Sequence, residues 1–227
     1  MIIVKPSVEL EGLEFPVRFN TLSGAYEPIL GASPEKVIER AGRTCYKSED
    51  RITDDSHKTF IEMVCKKNHE SVLEHSAATF RFVCDRGVSH EIVRHRLASY
   101  SQESTRYCNY SKDKFGNQIT VIEPPGLTAE ARMSWMSAVG TAEECYFAML
   151  KEGASPQIAR SILPTCLKTE VVMTANFREW CHFLKLRTSE AAHPQMREVA
   201  NEVGKVLLLV APSVFKWWNF IVEDENK

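Results

Sequence analysis

Glycine is scarce in this chain, with ten among 227 residues, and none falls in a Gly-x-Gly-x-x-Gly or Gly-x-x-x-x-Gly-Lys-Ser/Thr turn. That argues against a Rossmann dinucleotide site and a P-loop, both of which need glycine where backbone N–H groups close on phosphate. No apolar run approaches the length of a membrane span. The opening residues 1–6 lack the charged leader and long apolar region of a secretory signal. The seven cysteines stand singly, without a Cys-x-x-Cys pair. An odd number with no export signal points to reduced thiols in the cytoplasm, each expected as a small buried hydrophobe. A large positive excess is also missing: the formal net charge is −2, which is unlike a general nucleic-acid binder.

What is present is an ordinary globular balance, 44% hydrophobic and 26% charged, enough for a core without disulfides or metals. No repeat, low-complexity tract or linker divides the chain, so one domain over 1–227 is expected. The positive charge of residues 94–106 is local. Arg94, His95 and Arg96 stand together, Ser99, Ser101, Ser104 and Thr105 follow, and Arg106 closes the run. Arginine forks match phosphate oxygens in pairs and hydroxyls add donors, so the segment is built like a loop for a small anion.

Periodicity mixes helices and strands. Ser33-Pro34 reads as an N-cap and first helical residue, opening a helix to about Gly42. Helical spacing recurs over 54–67, 129–152, 177–187 and 196–210, and in a last helix from about Ser213 carrying Phe215, Trp217, Trp218 and Phe220. Alternation at Ala78, Phe80, Phe82 and Cys84 reads as a half-buried strand, and 119–122 and 169–174 as two more. Val88, Ile92 and His95 share a helical face, so Arg94–Arg96 ends a helix and a loop is expected from Ser99. Asn176 with Glu179 three residues on resembles a capping box. The pattern predicts an α+β fold, a twisted antiparallel sheet with packed helices.

Arg94-His95-Arg96, seven residues and then Ser104 resemble the signature of the flavin-dependent thymidylate synthases. The likeness extends to residues 69–75, to 159–164 (Ala-Arg-Ser-Ile-Leu-Pro), to Asn176-Phe177-Arg178, to 184–187 (Leu-Lys-Leu-Arg) and to His193-Pro194-Gln195, in the family's order. It implies a homotetramer with active sites between subunits. It also implies reductive methylation of dUMP to dTMP, with methylenetetrahydrofolate as carbon donor and FAD, reduced by NADPH, as hydride donor. By the same resemblance, Glu91, Arg94, Gln102, Glu103, Ser104, Thr105, Arg106, Arg160 and Arg187 face dUMP, with Arg106 and Arg160 at its phosphate and Arg187 at the uracil ring. His69, Ser71, Arg94, His95, Arg96, Gln102, Asn176, Arg178 and His182 face FAD. Some positions depart from the common pattern: Ser101 stands where asparagine is frequent, Gln102 for glutamate, Glu91 for glutamine and His182 for asparagine.

Other chemistries fare less well. His69-Glu70 and His90-Glu91 look like starts of a zinc-binding His-Glu-x-x-His helix, but Leu73 and Arg94 occupy the closing positions, so no metal is expected. Ser104 has no histidine placed as its base and is assigned to binding. Judged by their neighbours alone, His69 and His75 are as readily core histidines as functional ones; the resemblance favours His69 near the flavin and folate, and His75 is read as structural. Two competing readings stay open. One is a single-stranded nucleic-acid-binding module using the basic residues of 94–110 with Tyr100, Tyr107 and Tyr110 as stacking platforms. The other is a flavoprotein of this fold with an altered substrate.

Overall fold

The computed structural model describes residues 1–15, 17–20, 25–28 and 32–225. Its centre is a four-stranded antiparallel sheet in the order β2 (Ser7–Leu13), β5 (Ala77–Asp85), β8 (Lys168–Asn176), β6 (Ala98–Gln102). The period-two side-chain alternation of a strand divides its faces. Phe80 opposes Met173 and Phe82 opposes Val171, all fully buried, while on the other face the Thr79 and Thr174 hydroxyls meet at 2.8 Å. Two short pairs form separately from it: β1 (Ile2–Val4) runs parallel to β7 (Thr120–Ile122), and β3 (Val17–Asn20) antiparallel to β4 (Ala25–Pro28).

Helices cover the apolar face. They are α1 (Pro34–Tyr46), α2 (Ser56–Lys66), α6 (Phe177–Arg187), α7 (Pro194–Val210) and α8 (Pro212–Glu225). Ser33 caps α1 as expected, its Oγ accepting from the Lys36 N–H. Trp180 of α6 is fully buried, sets its ring edge-on to Phe80 at 5.0 Å and donates its indole N–H to the Ala78 carbonyl. A buried Trp thus contributes its area without leaving its polar atom unpaired. Gly204 lets α7 and α8 approach, since a Cβ there would lie 2.4 Å from the Trp218 ring. The side chain of Phe220 lies outside the described residues.

A second apolar cluster forms around α4 (Ala129–Lys151), where Val139 and Tyr146 join Tyr110, Ile119, Val121 and Leu167. Most of that 23-residue helix is uncovered, with Met133 74% exposed. Two further helices, α3 (Arg86–Ile92) and α5 (Pro156–Ala159), carry residues toward the site.

Three expectations need correction. The β1–β7 pair is parallel, so antiparallel pairing describes the central sheet and not every strand. The hydroxyl-rich loop does not begin at Ser99: residues 98–102 are a strand, because Tyr100 turns inward and the segment completes the open edge of β8. The cysteines are not uniformly buried either. Cys84 and Cys166 are, but Cys45 and Cys145 are exposed, and none is in a disulfide.

Candidate active site

Short-range signals in the sequence set the framework. Asp85 accepts from the Val88 N–H at 2.7 Å and so caps α3, which ends at Ile92, so Arg94–Arg96 lie in the turn after the helix and not at its end as expected. The Tyr100 hydroxyl then lies 3.1 and 2.9 Å from the Ile92 and His95 carbonyls and closes the turn that carries Arg94–Arg96. Burial, with the Glu179 carboxylate nearby, pushes the Tyr100 phenol up to about 12, so it remains a donor. On the other side, the Asn176 side chain accepts from the Glu179 N–H at 2.9 Å and starts α6. Only this half of the anticipated capping box forms, because the Glu179 carboxylate turns to His95 instead.

That contact belongs to a four-residue network. His95 is 3% exposed. Its Nδ1 is 3.1 Å from Glu179 Oε1, and its Nε2 is 3.0 Å from Arg187 Nε. A guanidinium can only donate, so Nε2 is the bare nitrogen and the imidazole proton sits on Nδ1, toward Glu179. Burial first, then the charge of Arg187 and the neighbouring His182, hold the His95 pKa down to about 4, which keeps the ring neutral. Burial raises the Glu179 carboxyl. Arg187, the last residue of α6, also donates through Nη1 to Glu91 Oε2 at 2.6 Å and through Nη2 to the Glu91 carbonyl at 3.1 Å.

A cleft of about 1020 Å³ opens beside this network, between α2, the turn Glu70–His75, Arg96-Leu97, α6 and α8. Of the expected flavin-facing residues, Arg96, Asn176, Arg178 and His182 line it, and His95 reaches it through Glu179. Arg178 is paired with Glu74 at 2.6 Å and Glu70 at 3.6 Å. His69, Ser71, Arg94 and Gln102 lie outside the lining. Both His69 and His75 are exposed, so neither is a core histidine, and His69 Nδ1 is 2.9 Å from the Tyr46 hydroxyl. Sequence reasoning did not single out Lys66, Lys185, Trp217 or the acid Glu179 as site residues, though all four line the cleft. The signal was partly legible, because Arg178, His182 and Lys185 recur at helical spacing on one face of α6.

The expected nucleotide residues form a second group. Gln102 Nε2 is 2.9 Å from Ser89 Oγ and 3.3 Å from Thr169 Oγ1. Glu103 is held by Lys168 at 3.1 Å and by the Tyr110 hydroxyl at 3.4 Å. Ser104 Oγ accepts from the Arg106 N–H at 3.3 Å, and Arg160 donates to the buried Thr105 hydroxyl at 3.3 Å. The structure therefore brings Arg106 and Arg160 to one short loop through Ser104 and Thr105. Among the described residues neither arginine forms an ion pair.

Two alternatives lose their footing here. His95, Glu179 and His182 present ligand-type atoms within 4.8 Å of one another. Both His95 nitrogens are already bonded and a guanidinium adjoins them, an arrangement for fixing a tautomer and not for a cation. The nucleic-acid reading needed three exposed tyrosines. Tyr110 is 3% exposed and Tyr100 is turned into the core, which leaves Tyr107 alone at 76%. No described helix is long and apolar enough to cross a membrane.

Comparison with known proteins points to one family. The model of the family described as thymidylate synthase complementing protein matches residues 29–213. A flavin-dependent thymidylate synthase of Geobacter sulfurreducens is 33% identical over 193 residues, 81% of each chain. One of Mycolicibacterium gilvum is 32% identical over 199 residues, 79% of this chain and 77% of its own length. In fold, the chain is similar to the UMP/dUMP methylase PolB from Streptomyces cacaoi bound with 5-Br dUMP, at a TM-score of 0.76 and 23% identity, over 95% of this chain and 96% of that one. The chain belongs to the flavin-dependent thymidylate synthase family.

Proposed function

We propose that this chain catalyses the reductive methylation of dUMP to dTMP as one catalytic domain over residues 1–227, with methylenetetrahydrofolate as carbon donor and FAD, reduced by NADPH, supplying the hydride. The observation that carries this reading is the junction of the Arg94–Arg96 turn and α6: it sets a neutral His95 and a half-buried Arg187 beside a cleft whose mixed acidic and basic lining includes Lys66, Arg96 and Lys185. The donor set of that cleft suits a dinucleotide. Arg96, Lys66 and Lys185 form no ion pair among the described residues, Asn176 and His182 offer hydrogen bonds, and Trp217 offers a ring face. Arg96, Asn176, Arg178 and His182 would hold FAD there, with arginine taking the place of a glycine turn at the diphosphate.

This chain's own part is to bind, orient and polarise. Arg106 and Arg160 meet the dUMP phosphate, and Ser104 and Thr105 add hydroxyls. Glu91, Arg94, Gln102 and Glu103 border the nucleotide. Arg187 faces the uracil ring and stabilises negative charge as the pyrimidine is activated, which in a dry site contributes on the order of 3 kcal/mol, about a hundredfold in rate. His69 and Ser71 lie at the outer edge of the flavin and folate region. The exposed faces of α4 support self-association as a homotetramer, since only Val139 and Tyr146 of that helix are buried. The cytoplasm is the compartment that unpaired cysteines suit.

The deciding experiment is the visible spectrum of the purified protein, followed without oxygen as NADPH is added with and without dUMP. A flavin band that bleaches, faster with dUMP present, and dTMP formed when methylenetetrahydrofolate is added, are the expected outcomes. A colourless protein that takes up no FAD and shows no response to dUMP would overturn the reading.

A further inference from the structure

Arg187 does not reach its place alone. It leaves the end of α6, where a long side chain has many rotamers, and three hydrogen bonds choose one. Two of them go to Glu91, which lies on α3 and therefore ties Arg187 to the neighbouring helix. The third goes to a ring nitrogen of His95, and that bond exists only if the nitrogen carries no proton. What guarantees this is on the far side of the ring. Glu179 Oε1 stands 3.1 Å from Nδ1 and can only accept while ionised, so it holds the proton there and leaves Nε2 bare. Phe183 packs its ring 4.9 Å from the imidazole at a tilt of 55°.

We infer that Glu179 is a positioning residue for the reaction: through His95 it fixes the orientation of Arg187, and it links the large cleft, which it lines, to the pyrimidine side of the site. The inference rests on the reading of Arg187 as the group that faces the base. It goes beyond that reading because Glu179 touches neither Arg187 nor the loop 103–106. The linkage also has a direction. A group entering the cleft that drew Glu179 away would free the Nδ1 proton, and the Arg187 bond would weaken with it. Occupation of one compartment is thereby felt in the other without movement of the backbone.

The test uses full-length protein loaded with FAD, in wild-type form and as Glu179→Met and Glu179→Gln. Histidine 15N spectra read the His95 tautomer, and steady-state assays read kcat and KM for dUMP separately. Wild-type His95 is expected as the neutral Nδ1–H form. Methionine keeps the volume but not the acceptor, so the spectrum should change and kcat should fall about tenfold, the loss of one charge-assisted bond, with KM for dUMP within about twofold. Glutamine keeps an acceptor and should recover most of kcat. A wild-type His95 protonated on Nε2, full kcat in Glu179→Met, or equal losses in both variants would each overturn the inference. If Glu179→Met fails to fold, the wild-type tautomer and Glu179→Gln still decide. Wild-type protein that does not turn over dUMP would sink the proposed function instead, while the His95 spectrum continued to test the link.

Discussion

The arginines of this site fall into two groups that solve different problems. Arg187 is held by three bonds within the chain, against a neutral histidine and beside a glutamate. Arg94, Arg96 and Arg106 are exposed, and among the described residues none of them forms an ion pair. A side chain fixed before the ligand arrives has no ordering cost left at binding and can be directed at charge that develops during reaction. An exposed one gains most when it meets an anion, and it contributes to capture. The first group should therefore appear in kcat and the second in KM.

The sharpest way to break this division is Arg187→Ala. Turnover is expected to fall by about a hundredfold or more, the loss of roughly 3 kcal/mol of transition-state stabilisation, with KM for dUMP changed much less. A variant that kept its turnover would erase the distinction. Arg106→Ala examines the other group. Its KM for dUMP should rise about tenfold, as expected for losing a charge-assisted phosphate bond, while kcat and melting temperature hold. That rise should also be blunted in high salt, because the contact is exposed. A fall in kcat with no change in KM would place Arg106 with Arg187.

How far the sequence carried each group follows from what determines them. The strands β5 and β8 and the α6 face were legible, since alternation and helical spacing record which side meets the core. Arg94, Arg96 and Arg106 were legible as a cluster of cations because they lie within thirteen residues, and all three are exposed. The role of Glu179 was not. Read locally it was a capping residue, and only the packing of α6 against the 94–96 turn brings its carboxylate to a ring 84 positions away. The strand at 98–102 was hidden for a similar reason. Serine and alanine have weak strand preference, and the unpaired edge of β8 overrides it. The residues 1–28 gave no strand signal that the reading recognised, and β2 is exposed along one side.

His95 offers a pH-dependent view of the prearranged group. Its pKa in the folded protein, about 4, lies below the ordinary value of 6.5. As pH falls, the unfolded chain takes up a proton near 6.5 and the folded chain does not until about 4. His95 therefore withdraws stability across that window. Glu179, raised by burial, acts in the opposite sense, since its folded form holds a proton more readily than its unfolded form. A melting curve sums the two, so the cleaner measurement is the His95 titration itself by NMR. It should be centred near pH 4 in the wild type and move upward in Arg187→Ala, which removes a neighbouring positive charge. An unchanged midpoint would mean that Arg187 is not against the ring in solution.

The smallest effect is expected where the two groups meet the sheet. Lys168 joins Glu103, at the start of the loop 103–106, to Glu170, which in turn pairs with Arg81. Burial works against the lysine charge, but Glu170 and Glu103 outweigh it and leave its pKa raised. In Lys168→Met, the Glu103 carboxylate would keep, among the described residues, only the Tyr110 hydroxyl, and two carboxylates would face each other across the strand edge. The backbone bond from the Glu103 N–H to the Glu170 carbonyl remains, so the loop should loosen without detaching. A partly exposed pair of this kind is worth about 1 kcal/mol or less, so KM for dUMP should rise about threefold with kcat unchanged. A loss confined to kcat would instead tie this ladder to Arg187, and the division between prearranged and capturing groups would have to be redrawn through the sheet.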